Sequence, residues 1–242
     1  MNISDLSRLA TFLCTAHVPI ITKTQPTFFS IAGINHKEVP LSNTYAFFFR
    51  SEEPHGVGTL FTDALWDLLI TRYPDLPKIE GPIHAICERP MQHRQRLDIL
   101  VHNGQNEHQP NEAPCCILIE NKVNHWIAND LDNYWASVSA KNYKVGVVLG
   151  RQTESLPSEW VYITHQALAQ AIERRLGPLV YKANPRYLPV LLHFLEHLKQ
   201  MSHNAAEFAQ AFAFAQKHRE QISHLQEFIQ SLVPSPQFIG QV

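Results

Sequence analysis

The chain has 242 residues, 45% of them hydrophobic, with a formal net charge of -2 and a pI of about 6.7. That is enough apolar material for one sizeable core with a helical appendage. The charge excludes a polybasic nucleic-acid coat, so any phosphate binding has to come from a local patch or from a bound metal. Four cysteines, Cys14, Cys87, Cys115 and Cys116, show no CxxC spacing and read as reduced core residues. Residues 9–21 are partly apolar, but they lack a basic flank and a small-residue cleavage site and are too short to span a bilayer. A soluble, cytoplasmic protein is expected.

In chain order, residues 4–16 read as a helix with Ser4 at its N-cap and Leu6, Leu9, Ala10 and Leu13 on one face. Residues 26–33 are short, aromatic and ambiguous. A second helix starts near Pro40 and runs through Tyr45 to Phe49, where His55-Gly56-Val57-Gly58 closes it. A third spans 59–72. The period then changes to that of strands, with short apolar runs at 83–88, 96–102, 115–122 and 144–150. Cys115 and Cys116 are neighbours on one of these, so their side chains face opposite ways. Residues 103–114, rich in Asn, Gln and Pro, read as a mobile loop. A helix over 126–140 carries Trp126, Leu131, Tyr134, Trp135 and Val138. Residues 160–163 add a fifth strand, and Thr164 caps a helix to Leu176. Helical segments are expected at 188–201, 203–217 and 219–232. The order predicts an α/β domain over 1–177, N-terminal helices included. A helical extension over 178–242 would be packed on the core or continuous with it.

The chemistry concentrates in Ile117-Leu118-Ile119-Glu120-Asn121-Lys122 and in Arg96-Leu97-Asp98-Ile99-Leu100. Residues i and i+2 of a strand share a face about 6.5 Å apart, so Glu120 and Lys122 project from one side. Asn121 projects from the other but can still offer its carbonyl. An ionised Asp98 in an apolar run is costly without a partner or a metal. Asp98, Glu120 and the Asn121 carbonyl are oxygen donors of the kind Mg²⁺ takes alongside waters and substrate phosphate. Lys122 would orient or deprotonate a water, or stabilise the charge that builds on a phosphate. The competing reading is that an acid-x-Lys at a strand end is a solvated rim.

These two runs, in this order and with these apolar flanks, resemble the PD-(D/E)xK nuclease superfamily, in particular its bacterial branch with an IENK-type motif. Glu38-xxx-Ser42 and His55-Gly56 match that branch's upstream elements. Glu88 matches a glutamate commonly found before the Asp strand. Leu131-xx-Tyr134 matches a helix motif in which Asp130 replaces the usual Gln. The resemblance covers residues 36–150. It implies a restriction-endonuclease-like mixed sheet of four to five strands flanked by helices, with a C-terminal helical extension. It also implies hydrolysis of phosphodiester bonds, in DNA, by a metal-activated water. Asp98 and Glu120 would bind Mg²⁺ or Mn²⁺, Lys122 would be the catalytic lysine and Glu38 an accessory acid at the start of its helix. The alternative is a catalytically silent protein of this fold that binds nucleic acid or a protein partner.

Other features divide between function and structure. Arg89, His93, Arg94 and Arg96 either contact phosphates or form a charged hairpin rim. Trp126, Tyr134 and Trp135 either stack on bases or belong to the core. Asp130 is a third acid near the site or part of a solvated helix face. His193-Phe194-Leu195-Glu196-His197 has the H-x-x-E-H spacing of a zinc protease, with no third ligand marked. The C-terminal helices, with Phe208, Phe212, Phe214, Leu225 and Phe228, are an internal hairpin or a homodimer surface.

Overall fold

The computed structural model describes residues 3–17, 25–91, 95–123, 130–150 and 155–232. Helices α1 (Ile3–Thr15), α2 (Phe28–Ile31), α3 (Glu38–Phe49) and α4 (Leu60–Arg72) precede strands β1 (His84–Pro90), β2 (Arg96–His102) and β3 (Cys115–Asn121). Then come α5 (Leu131–Ser137), β4 (Tyr143–Leu149), β5 (Trp160–Ile163), α6 (His165–Leu176), α7 (Leu188–Lys217) and α8 (Arg219–Leu232). The strands form one sheet in the order β1-β2-β3-β4-β5. Pairing is antiparallel from β1 to β3 and parallel from β3 to β5. This is the expected mixed α/β sheet.

β3 is buried at all seven positions. Cys115, Ile117 and Ile119 enter a large core with α3, α4, α6 and the first half of α7, while Cys116 and Leu118 enter a smaller one with Leu131 and Tyr134 of α5 and with Val138 just past it. A strand covered on both faces needs no polar alternation, which is why this run is apolar throughout. The two adjacent cysteines do separate to opposite faces. Cys14, by contrast, is exposed and is not a core residue.

Residues 24–202 form one compact unit, and residues 1–23 with 203–242 form another. Residues 178–202, grouped in sequence with the helical tail, fall in the first. Leu191, Phe194, Leu195 and Leu198 are essentially inaccessible there. The two segments expected on either side of Ser202 are one continuous helix, since nothing at Ser202-His203 interrupts the backbone. In the second unit, Phe12 of α1 packs against Phe214 and His218.

Two local readings change. Residues 103–114 are tied down: Asn103 accepts the N–H of Cys115 and donates to Glu80 O, Gly104 N–H donates to His102 Nδ1, and Pro110–Glu112 form a 3-10 turn. The helix expected over 126–140 is formed over Leu131–Ser137, and Trp126 lies outside the described residues. Asp130 is its N-cap, accepting from Asn133 N–H at 3.0 Å, so this acid is spent on an orphan helix donor.

Candidate active site

Sheet register brings the two acids together. β2 and β3 pair from His102–Cys116 to Ile99–Ile119, and one further step sets Asp98 opposite Glu120. There Asp98 Oδ2 accepts the N–H of Asn121 at 2.7 Å. Lys122 N–H donates the other way, to Leu149 O of β4 at 2.8 Å. Because the peptide between them is trans, the Asn121 carbonyl points away from β4, to the side of Asp98. Asp98, Glu120 and the Asn121 carbonyl thus gather where the β2–β3 ladder ends.

Lys122 lies on the same side. Its Nζ is 2.8 Å from Glu120 Oε1 and 3.7 Å from Glu38 Oε2. Glu120 is fully buried, whereas the Lys122 side chain keeps 12% exposure, so the ion pair has one opening to solvent. Burial alone would lower the Lys122 pKa, but Glu120, Glu38 and Asp98 outweigh it and hold the amine charged. For Asp98 burial and the charge of Glu120 act together, and its carboxyl is pushed up to about 8 despite the Asn121 N–H and Lys122. Two acids that resist joint ionisation are a donor set short of positive charge.

That set fits one class of ion. Among the described residues no group of three or more His, Cys, Asp and Glu side chains is arranged to hold a metal. Two carboxylates and a main-chain carbonyl instead suit a hard cation that retains waters and takes phosphate oxygens from a substrate.

Helix α3 fixes this strand end. Glu38 is its first residue, which places Pro40 within the first turn, where a missing N–H costs nothing. Glu38 Oε1 accepts from Val123 N–H at 3.2 Å. Ser42, one turn on, accepts from Asn121 Nδ2 at 2.9 Å, deep in the core. The i, i+4 spacing therefore has a physical reason: the acid grips Lys122 and Val123 while the serine grips Asn121. One further turn along, Tyr45 donates its hydroxyl to His165 Nδ1 at 2.9 Å. The other ring nitrogen of His165 meets Lys122 O at 3.1 Å and must carry the proton. Burial drives the His165 pKa down to about 4, so the ring stays neutral. Gly150 completes the clasp, since a Cβ there would stand 2.8 Å from Lys122 O.

Ser42 stood in the sequence pattern without a role, and Tyr45 and His165 were missed. Tyr45 had one signal, a place on the Glu38–Ser42 face of α3. His165 had none, being 43 residues beyond Lys122.

The remaining candidates distribute unevenly. Arg96 has a 65% exposed side chain 3.7 Å from Glu88. Arg94 and His93 lie outside the described residues. Tyr134 is fully buried and donates to Arg96 O at 2.7 Å, so its ring is closed to base stacking. His55 is structural: its Nδ1 accepts from Val57 N–H, leaving Nε2–H to bond Arg50 O just past α3. In the H-x-x-E-H stretch, His197 is buried against Phe29 with its ring nitrogen on Asn35 O, Glu196 pairs with Lys199, and His193 is exposed. The three do not converge.

Two acids and a lysine thus stand together where two neighbouring strands end. The model of the PD-(D/E)XK nuclease superfamily matches residues 26–175, so the chain belongs to that superfamily. Its members generally use divalent metal ions. No match is found among curated proteins or among solved structures. Among the described residues no helix is long and apolar enough to cross a membrane.

Proposed function

We propose that this protein is a metal-dependent nuclease that hydrolyses phosphodiester bonds in DNA, working in the cytoplasm. The observation that carries the reading is the meeting of Asp98, Glu120 and Lys122 at one strand end, with the lysine amine 2.8 Å from Glu120 and its side chain partly exposed. Asp98, Glu120 and the Asn121 carbonyl are the groups that would hold Mg²⁺ or Mn²⁺. When bound, the ion supplies Lewis-acid activation of water and neutralises charge on the scissile phosphate.

The chain's own groups do the rest. Lys122 presents a fixed positive charge where negative charge builds on the phosphorane, and its N–H donors can align the attacking water. Glu38 holds that amine from the far side and anchors the turn after β3 through Val123 N–H. Ser42 pins the Asn121 side chain away from the site, leaving its carbonyl to serve it. Arg96, exposed at the start of β2, would meet a neighbouring phosphate.

The test is cleavage of supercoiled and linear DNA, and of RNA, by the full chain with Mg²⁺, Mn²⁺ or EDTA. Cleavage that needs the ion and disappears in Glu120→Ala and Lys122→Ala is expected. Absence of cleavage on every substrate with either metal, together with no metal binding by calorimetry, overturns the reading.

A further inference from the structure

A trough of about 540 Å³ runs along the outer edge of β1, lined among others by Arg50, Cys87, Arg89, Glu107, His108 and Pro110. Its position bears on the site. Arg89 pairs across the sheet with Leu97, and Cys87 with Ile99, so the trough flanks the position that faces Asp98. Arg50 and Asp98 both act on the Cys87 thiol, from opposite sides in sign.

The backbone departs from regularity to put an arginine there. Ala85 and Cys87 pack toward the large core, and strict alternation would send Arg89 the same way. Glu88, between them, has φ +50, a left-handed conformation in a non-glycine residue. Beyond it Arg89 reaches Asn111 at 3.2 Å and lies near Cys116, which belongs to the smaller core on the opposite side of the sheet. Such conformations are strained and persist where the surroundings impose them, often beside functional groups.

Both guanidinium groups keep donors in hand. Arg50 spends Nε on Ala85 O and Nη1 on Glu53, and Arg89 spends Nη2 on Asn111. Arg89 Nη1 is buried with no hydrogen-bond partner among the described residues. A desolvated cation with unspent donors gains from an anion that can accept from a planar fork, and phosphate is such an anion. Glu107, the one carboxylate among the described residues lining the trough, lies 3.4 Å from His108 on the rim, 61% exposed.

We propose that this trough binds the phosphodiester backbone of the nucleic acid, with Arg50 and Arg89 as its anion contacts and Glu107 as a charge that tempers them. The proposal rests on the nucleic-acid part of the reading above and assigns a backbone site beside the cleavage site. It accounts for how a chain of net charge -2 holds a polyanion: by two arginines in one groove and not by its overall field.

The experiment is fluorescence anisotropy of a labelled DNA duplex with the full chain in EDTA, across a salt series, with cleavage assayed separately in Mg²⁺. Arg89→Gln and Arg50→Gln should each weaken binding about tenfold and reduce the salt slope by about one. Glu107→Gln, an exposed change, should tighten binding, a gain that damage to the fold cannot imitate. If Arg89→Gln and Glu107→Gln leave affinity and slope unchanged, the proposal is wrong even if the wild type cleaves DNA. If the variants alter competition by inorganic phosphate but not DNA binding, the trough is a free-anion site and the assignment fails. If all three shift DNA binding while nothing is cleaved, the trough stands and the nuclease reading falls.

Discussion

Two stretches of this chain carry the acid-and-base spacing of a metal enzyme, and folding treats them oppositely. Glu120-x-Lys122 ends a central strand where a second acid, Asp98, is delivered by the neighbouring strand and the Lys122 side chain keeps part of its exposure. His193-x-x-Glu196-His197 lies on a helix whose apolar face is core, so one imidazole is buried on Asn35, the acid pairs with Lys199 and the other imidazole faces solvent. A spacing acquires chemical meaning only when a neighbouring element completes it. At β3 the neighbour is β2, ending its pairing one residue early. At α7 no neighbour among the described residues supplies a third ligand.

The comparison can be broken by substitution. The largest effect is expected for Glu120→Ala and Lys122→Ala, which should lower DNA cleavage by about 10³-fold or more in single-turnover assays with Mg²⁺. Ser42→Ala comes next. It takes from the Asn121 amide its shorter hydrogen bond, leaving only Glu38 O at 3.4 Å, and loosens the strand end without touching the substrate, so cleavage should fall roughly 10–100-fold. A stability loss of about 1–3 kcal/mol in chemical denaturation should accompany it. An unchanged rate would show that α3 does not position the site.

A third prediction uses pH. The Asp98 carboxyl is pushed up to about 8 in the folded chain, above its unfolded value near 4. Between those values the folded state holds a proton the unfolded state has released, so stability falls as pH rises. His55, His102, His165 and His197 are depressed by burial and act the other way, but their contribution is complete above about pH 6.5. Between pH 6.5 and 8 in EDTA the wild type should therefore lose on the order of 1 kcal/mol. Asp98→Asn should flatten that slope, and parallel slopes would remove Asp98 as its source.

The smallest effects belong to α7. His197→Ala should cost about 1–3 kcal/mol of stability through Asn35 and Phe29, and His193→Ala should stay within about 0.5 kcal/mol. Neither should alter cleavage; a metal-dependent loss in both would revive the zinc-type pattern.

Much of this was legible beforehand, for identifiable reasons. The five strands were readable because a doubly covered sheet leaves continuous apolar runs, and Thr164 marks a helix start through its side-chain cap, whereas the same role of Asp130 was hidden inside a helix expected to begin at 126. Asp98 stood out because an acid in Leu97-Asp98-Ile99 needs a reason to be there. Other features depend on tertiary placement and leave no local trace. Tyr134 has the aromatic character of a stacking residue, yet the smaller core encloses it. The Tyr45–His165–Lys122 chain joins residues 120 and 43 positions apart. The left-handed Glu88 is a backbone angle no composition predicts, and the continuity of α7 through Ser202 reflects only the absence of a breaker.

The central claim is that Asp98, Glu120 and the Asn121 carbonyl share one divalent ion. The most direct measurement is anomalous diffraction from a crystal of the full chain soaked in Mn²⁺. A single peak about 2.1 Å from those three oxygens is the result expected. A peak at His193 or Glu196, or no peak at the strand end under saturating Mn²⁺, would contradict it.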